Sequence, residues 1–219
     1  MKTLKVTTLL AAFVGLTLAA PAMAQREKTG ISVEVGGNYI MDGDTRDAIG
    51  DYGLRVAVGY DLPSQSLLGR ETGGRSRITL SYTSGDDTFT EVDDGLLYTL
   101  TPKLTSWGLT YEERVPFRMV EEGATSPYWG VGLGVFYHKG ELGASVTDGE
   151  TTLRDSMDDT ATRIGGRAIV GVNFANRWFV EASYNLSGKI NVDLPLDEET
   201  IMRLPFETNS LALVVGARF

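Results

Sequence analysis

The fold of this chain is constrained most by a two-residue alternation of apolar with small or polar side chains, which recurs about eight times. Successive side chains lie on opposite faces of an extended strand, so this period predicts strands rather than helices. Residues 129–137 show it most clearly, because the odd positions are apolar or aromatic and glycine occupies positions 130, 132 and 134. Residues 211–219 alternate in the same way and end on Phe219. The pattern predicts an all-β fold with eight antiparallel strands.

The first 24 residues have the composition of a secretory signal peptide. Lys2 and Lys5 precede an apolar run over residues 6–20, and residues 22–24 supply a small-x-small cleavage pattern. A retained membrane anchor is the alternative, but the run is shorter than the ~20 residues that a spanning helix needs. We expect residues 1–24 to be removed and residues 25–219 to form one domain.

The composition limits both what holds the domain together and what it binds. The chain has no cysteine, so disulfides cannot stabilise the fold. Its formal net charge is -9 at pH 7, whereas a nucleic-acid partner requires a basic surface. The sequence contains no zinc motif, no phosphate-binding glycine loop and no nucleophile elbow. We therefore expect no cofactor and no nucleic-acid partner.

The distribution of side chains distinguishes a membrane barrel from a soluble barrel of the lipocalin type. The less apolar face of the predicted strands consists of glycine, small polar residues and charges, as in the narrow polar lumen of an eight-stranded membrane barrel. Aromatic residues lie at both ends of the apolar stripes, where a bilayer has its two interfaces. The connections at one end span 40–51, 84–101, 138–160 and 186–208, and the last three are long. At the other end one connection is a tight turn at 175–176, while those at 61–74 and 113–126 are longer than the barrel pattern predicts. These features favour an up-and-down transmembrane β-barrel.

Residues 128–137, 178–184 and 211–219 carry a resemblance to a known family. The chain resembles the outer-membrane protein β-barrel domain family, the small OmpA- and OmpX-like barrels. The resemblance implies an outer-membrane monomer in contact with membrane lipids, with Phe219 as the assembly signal that the barrel-assembly machinery reads. It also implies a structural or surface-interaction role, in adhesion or envelope integrity, towards an extracellular ligand or host surface. A narrow channel or transporter for small ions or apolar solutes is the alternative.

Charged residues occur on the strand faces that are predicted to line the barrel interior. Burying a charge without a partner is costly, so we expect these side chains to form arginine–carboxylate pairs. The predicted lumen network consists of Glu34, Arg55, Arg77, Arg163, Arg167, Glu181 and Arg218. Its expected role is structural, and an ion path gated by switched pairs is the alternative.

The long connections carry most of the acidic residues. Hard cations such as Ca²⁺ bind clustered carboxylates, although no stretch has the spacing of an EF-hand loop. The weak candidates for a metal site are Asp86, Asp87, Asp93, Asp94, Asp158 and Asp159. A solvated acidic surface is the simpler interpretation, and we predict no metal ligand among them.

A lipid A-modifying enzyme is a third alternative, because some small outer-membrane barrels have that activity. A serine hydrolase needs a base within hydrogen-bonding reach of its nucleophile. His138 is the only histidine, and no serine lies two residues away from it. Nothing in the sequence selects Ser84 or Ser145 as its partner. We therefore predict that the protein is not an enzyme and that His138 lies at the barrel rim, in the aromatic belt.

Overall fold

The computed structural model describes residues 30–50, 52–65, 67–68, 74–93, 96–117, 124–148, 151–174, 177–195 and 201–219. This part of the chain contains eleven β-strands and one α-helix, which confirms the predicted all-β antiparallel fold. In chain order the elements are β1 (Ile31–Ile40), α1 (Gly43–Ile49), β2 (Tyr52–Gln65), β3 (Arg75–Asp86), β4 (Phe89–Asp93), β5 (Leu96–Pro116), β6 (Ser126–Thr147), β7 (Thr152–Phe174), β8 (Trp178–Leu186), β9 (Lys189–Pro195), β10 (Ile201–Glu207) and β11 (Ser210–Arg218). The predicted signal peptide, residues 1–24, lies outside the described residues.

Eight of the eleven described strands pair in a closed antiparallel ring. The order around the ring is β1-β2-β3-β5-β6-β7-β8-β11, and β11 pairs back onto β1. This last pairing extends from Ser32 opposite Arg218 to Ile40 opposite Ser210. We call the end at which β1 begins and β11 ends the terminal end, and the opposite end the hairpin end. Each ring strand thus has a hydrogen-bonded neighbour on both sides.

The ring is apolar on its outer face and polar on its inner face. On β6, Val131, Leu133 and Val135 are 42%, 72% and 48% exposed. Other large apolar side chains that point outward around the ring are Val56, Val58, Ile78, Leu80, Leu109, Ile164, Val170, Val180, Leu211 and Leu213. A protein folded in water rarely exposes such a continuous apolar surface. The distribution is therefore the inverse of a soluble barrel, in which the apolar face points inward.

The hairpin end contains more β-structure than the sequence predicted. Three of the connections predicted as long loops, 84–101, 138–160 and 186–208, consist mostly of strand. β5, β6 and β7 continue as one ladder, β4 pairs with the outer part of β5, and β9 pairs with β10. The prediction of loops was wrong because alternation disappears where both faces of a strand contact solvent. The backbone N–H and C=O groups still pair with one another there by extending the ladder.

A small apolar cluster lies over the hairpin end of the ring interior. It joins ring residues to the β9–β10 hairpin through Ile40, Leu104, Ile190, Val192 and Phe206, none of which is more than 7% exposed. Helix α1 is fixed to the same hairpin, because the backbone N–H of Glu207 donates to Thr45 Oγ1 at 2.8 Å. We call α1, the β9–β10 hairpin and this cluster the cap. Within the described ranges, no helix is long and apolar enough to cross a membrane.

Candidate functional site

Six charged side chains meet inside the terminal half of the ring. We call this group the charge cluster; it consists of Glu34, Arg77, Glu112, Arg114, Arg167 and Glu181. Glu112 accepts from two arginines, Arg114 Nη2 at 2.7 Å and Arg167 Nη1 at 2.5 Å. Glu181 accepts from the same two arginines, at 2.7 Å and 2.8 Å. Three guanidinium groups thus balance three carboxylates.

The third glutamate connects the cluster to the opposite wall of the ring. Glu34 Oε1 lies 3.3 Å from Arg77 Nη1 and 3.5 Å from Arg114 Nη2. Its side chain and that of Arg77 are completely buried. Charges at this depth are tolerated only when each one is paired and hydrogen-bonded. The pairs therefore hold strands from opposite sides of the ring together.

Two aromatic side chains fill the space around the cluster. The Tyr128 hydroxyl donates to Glu181 Oε2 at 2.8 Å, and the Arg114 guanidinium lies 5.7 Å from the centre of the Tyr128 ring. The Phe179 ring is completely buried and lies 5.4 Å from the Arg77 guanidinium. A Cβ atom on Gly216 would overlap the Phe179 ring. Glycine at this position of β11 is therefore required for the ring to fit inside the barrel.

Asp61 extends the network from the charge cluster to the terminal end of the ring. Its carboxylate accepts from Arg77 Nε at 2.5 Å. It also lies 3.5 Å from Arg75 Nη1 and 3.7 Å from Arg218 Nε. The network is thus continuous from the buried cluster to the rim.

The structure brings together four of the seven side chains that the sequence suggested for the lumen. Glu34, Arg77, Arg167 and Glu181 belong to the charge cluster, Arg218 joins it through Asp61, and Arg55 is buried on the inner face apart from it. Arg163 lies outside the network. Its side chain is exposed near the hairpin end, and its Nε donates to the carbonyl oxygen of Lys189 at 3.2 Å.

Sequence reasoning missed Glu112, Arg114 and Asp61. The alternation on β5 could have identified Glu112 and Arg114. Gly108 and Thr110 face inward on this strand, so the second and fourth residues after Thr110 face inward as well. The predicted connection over residues 113–126 ends the strand too early, because β5 continues to Pro116. Asp61 was likewise placed in a connection, whereas β2 continues to Gln65.

A second interior region, which we call the chamber, lies between the charge cluster and the cap. It is lined by residues that include Asn38, Arg55, Thr83, Ser106, His138, Asn185, Ser187 and Ser210. Ser106 Oγ and His138 Nδ1 are 2.6 Å apart, and their residues are directly opposite each other on β5 and β6. Polar side chains of the ring wall thus share the chamber with the apolar side chains Ile40, Leu104 and Phe136.

The predicted rim position of His138 was wrong. The side chain is 1% exposed and points into the ring, because it shares the inward face of β6 with Gly132 and Phe136. Its serine partner is Ser106 rather than the Ser84 or Ser145 considered from the sequence. His138 Nε2 meets no hydrogen-bond acceptor with good geometry among the described residues, and no carboxylate there acts on the imidazole as in a Ser-His-Asp triad.

The described acidic candidates for a metal site make contacts other than a shared cluster. Within the described ranges, no three His, Cys, Asp or Glu side chains are close enough to hold a metal ion. Asp87 and Asp159 accept from the backbone N–H groups of the residues that follow them, and Asp158 pairs with Lys139 at 2.9 Å. Asp86 and Asp93 are exposed, and Asp94 lies outside the described residues.

One family model matches almost the whole chain. Its description is outer membrane protein beta-barrel domain, and the match covers residues 8–219. The search of curated protein sequences found no match.

Several solved structures resemble the chain at low sequence identity. The Yersinia pestis attachment invasion locus protein Ail, in complex with the heparin analogue sucrose octasulfate, is 14% identical, covers 86% of this chain and 97% of its own, and has a TM-score of 0.40. Neisserial surface protein A is 15% identical, with 89% and 100% coverage and a TM-score of 0.42. The N-terminal β-barrel domain of Pseudomonas aeruginosa OprF is 15% identical, with 89% and 100% coverage and a TM-score of 0.35.

Proposed function

Because the chain belongs to the outer membrane protein beta-barrel domain family, we propose that it is a structural, surface-interacting barrel whose contacts serve adhesion or envelope integrity. The protein is located in the outer membrane. In this proposal residues 1–24 are a cleaved signal peptide and the ring of eight strands crosses the bilayer. The apolar outer face contacts membrane lipids, and the hairpin end faces outward from the cell, because barrels of this kind have their longer connections on that side.

The charge cluster is the observation that carries this proposal. Its three glutamates are completely buried. Glu34 lies within 4 Å of arginine side chains from three other strands, Glu181 within 4 Å of arginines from two other strands, and Glu112 within 4 Å of Arg167 on another strand and of Arg114 on its own. An ion that crossed the ring would have to separate these pairs, each of which is costly to break once buried. A closed interior leaves the outer surface as the part of the molecule that meets a partner.

The strands at the hairpin end supply that surface. β5, β6 and β7 contain 21, 22 and 23 residues, whereas a tilted strand crosses a bilayer in roughly 9–11 residues. About half of each strand therefore extends beyond the membrane. Apolar side chains are exposed in this region, such as Val92 on β4 and Leu153 on β7, which are 69% and 72% exposed. Strand β4 pairs only with β5 among the described strands, so its other edge can pair with an extended segment of a partner.

Shortening the extension tests the proposal. Residues 88–101 would be replaced by an Asn-Gly turn, because Asp87 N already donates to Pro102 O across the base of this hairpin at 3.3 Å. We expect unchanged outer-membrane yield and heat-modifiable migration on gels, together with loss of cell adhesion to a host-cell layer or increased permeability of the envelope to a dye. A variant that keeps both activities at the wild-type level would contradict the proposal.

The alternative functions have less support. A narrow channel for small ions or apolar solutes requires the charge cluster to open, and discrete conductance of purified protein in a planar bilayer would establish it. A lipid A-modifying enzyme requires its reacting groups to reach lipid at the outer face of the ring. Ser106 and His138 face the chamber instead. We propose that the protein is not an enzyme, and unchanged lipid A mass spectra of a deletion strain would support this.

A further inference from the structure

The chamber contains a positive charge that the charge cluster does not balance. Arg55 is 3% exposed and lines the chamber. Its guanidinium forms no hydrogen bond and no ion pair within 4 Å with another described residue, whereas the arginines of the charge cluster are matched by an equal number of glutamates. Glu34, Glu112 and Glu181 attract the guanidinium only at longer range, and Arg167 repels it. A guanidinium group cannot lose its proton under ordinary conditions, so it stays charged when buried. Burial of a charge without a counter-charge is strongly unfavourable.

The neighbours of Arg55 present further polar groups at the same height in the ring. Strand pairing places Arg55 opposite Thr83, Thr83 opposite Ser106, and Ser106 opposite His138. These four residues form one row on the inner wall, on adjacent strands about 4.8 Å apart. Arg55 Nε and His138 Nε2 are both buried without a hydrogen-bond partner among the described residues. Unpaired nitrogen atoms therefore lie at both ends of a row of hydroxyl groups.

The size of the chamber selects a small ligand. The volume open to the centre of a water molecule is about 30 Å³, and one water needs roughly 10–15 Å³ on this measure. Two or three water molecules or one monatomic ion fit this space, whereas a sugar or a nucleotide does not. The positive charge of Arg55 favours an anion.

We propose that the chamber binds one small inorganic anion of halide size, with Arg55 as its counter-charge. Hydroxyl groups of Thr83 and Ser106 and the imidazole of His138 complete the polar wall around the ion. The cap lies over the chamber on the hairpin side and the charge cluster closes the terminal side. The bound anion therefore lies inside the ring, between the cap and the charge cluster.

Bromide is the probe that tests the proposal, because its anomalous X-ray scattering identifies it against water. The full chain would be refolded into detergent micelles in sodium bromide, or in sodium gluconate of equal ionic strength, and crystallised from bromide. We expect one ordered anomalous peak in the chamber, within hydrogen-bonding distance of the Arg55 guanidinium. We also expect a thermal unfolding midpoint that is higher in bromide than in gluconate and that rises with the logarithm of bromide concentration above the dissociation constant.

Two variants separate the site from general salt effects. Arg55→Met should lose the anomalous peak and the bromide-dependent rise in midpoint, whereas Arg163→Met, which removes an arginine outside the chamber, should keep both. Arg55→Met removes an unpaired buried charge, so it should fold at least as well as wild type in gluconate. A chamber that contains only water in the bromide crystal would overturn the proposal. So would equal unfolding midpoints of wild type in bromide and gluconate, even if Arg55→Met failed to fold.

Discussion

The charge cluster makes a quantitative prediction for Glu112→Gln. The substitution keeps the shape of the side chain and removes one negative charge, so three buried guanidinium groups face two carboxylates. Removing one partner of a buried ion pair costs about 3–5 kcal/mol, because it leaves an uncompensated charge. Such a loss lowers the folding equilibrium constant by about 10²- to 10⁴-fold. It is a large fraction of the roughly 5–15 kcal/mol that stabilises an ordinary domain.

The assay is reversible urea unfolding of the barrel in lipid vesicles, followed by tryptophan fluorescence. Glu141→Gln is the matched control, because Glu141 also contacts two cations, Lys103 at 3.2 Å and Lys139 at 2.8 Å, but it is 34% exposed. Exposed ion pairs contribute about 0–1 kcal/mol to stability, so Glu141→Gln should change the free energy of unfolding very little. The double variant Glu112→Gln/Arg167→Gln restores charge balance and should cost less than the sum of its single variants. Equal losses for Glu112→Gln and Glu141→Gln would refute the reasoning.

Three further predictions concern packing, capping and assembly. Gly216→Ala should lower the free energy of unfolding by about 1–3 kcal/mol in urea, because the added Cβ meets the Phe179 ring. Gly37→Ala is the control: its Cβ meets nothing within 4 Å, so the free energy of unfolding should not change. Asp42 caps α1, and hydrogen bonds from Thr45 lower the pKa of its carboxyl below 3.8. A group whose pKa falls on folding stabilises only while ionised, so the amide protection factors in α1 should fall as the pH drops through the lowered pKa, and Asp42→Ala should remove the effect. Deleting Phe219 should reduce outer-membrane yield and heat-modifiable folding more than shortening a hairpin does, and an unchanged yield would count against its role as an assembly signal.

Sequence reasoning identified the fold because the apolar stripe of each ring strand is regular over the part that faces away from the interior. Leu133 and Val135 are exposed as the alternation predicts, and Glu34 and Glu181 are buried on the opposite face. The strand ends were harder to place, because the apolar stripe stops where the strand leaves the apolar environment while hydrogen bonding continues. This is why the extended parts of β5, β6 and β7 were interpreted as loops.

The chamber was missed for a different reason. The inward direction of His138 follows from the alternation that places Gly130, Gly132 and Gly134 inward on the same strand. The proximity of Ser106 to His138 does not follow from the alternation. It depends on the register between β5 and β6, and 31 residues lie between Ser106 and His138 along the chain. Register is set by the whole hydrogen-bonded ladder and by the connection between the strands, and alternation within one strand carries no information about it.

The charge network also has a consequence for how the barrel reaches its final form. All eight ring strands contribute to it, through Glu34, Asp61, Arg77, Glu112, Tyr128, Arg167, Glu181 and Arg218 in ring order. A one-residue slip of any strand moves its contribution from the interior to the lipid-facing side and leaves its partners unpaired. Each strand that pairs out of register therefore raises the free energy of the intermediate. The complete set of contacts forms only when every strand is in register. The network therefore favours closure of the barrel in the correct strand register over closure in any shifted register.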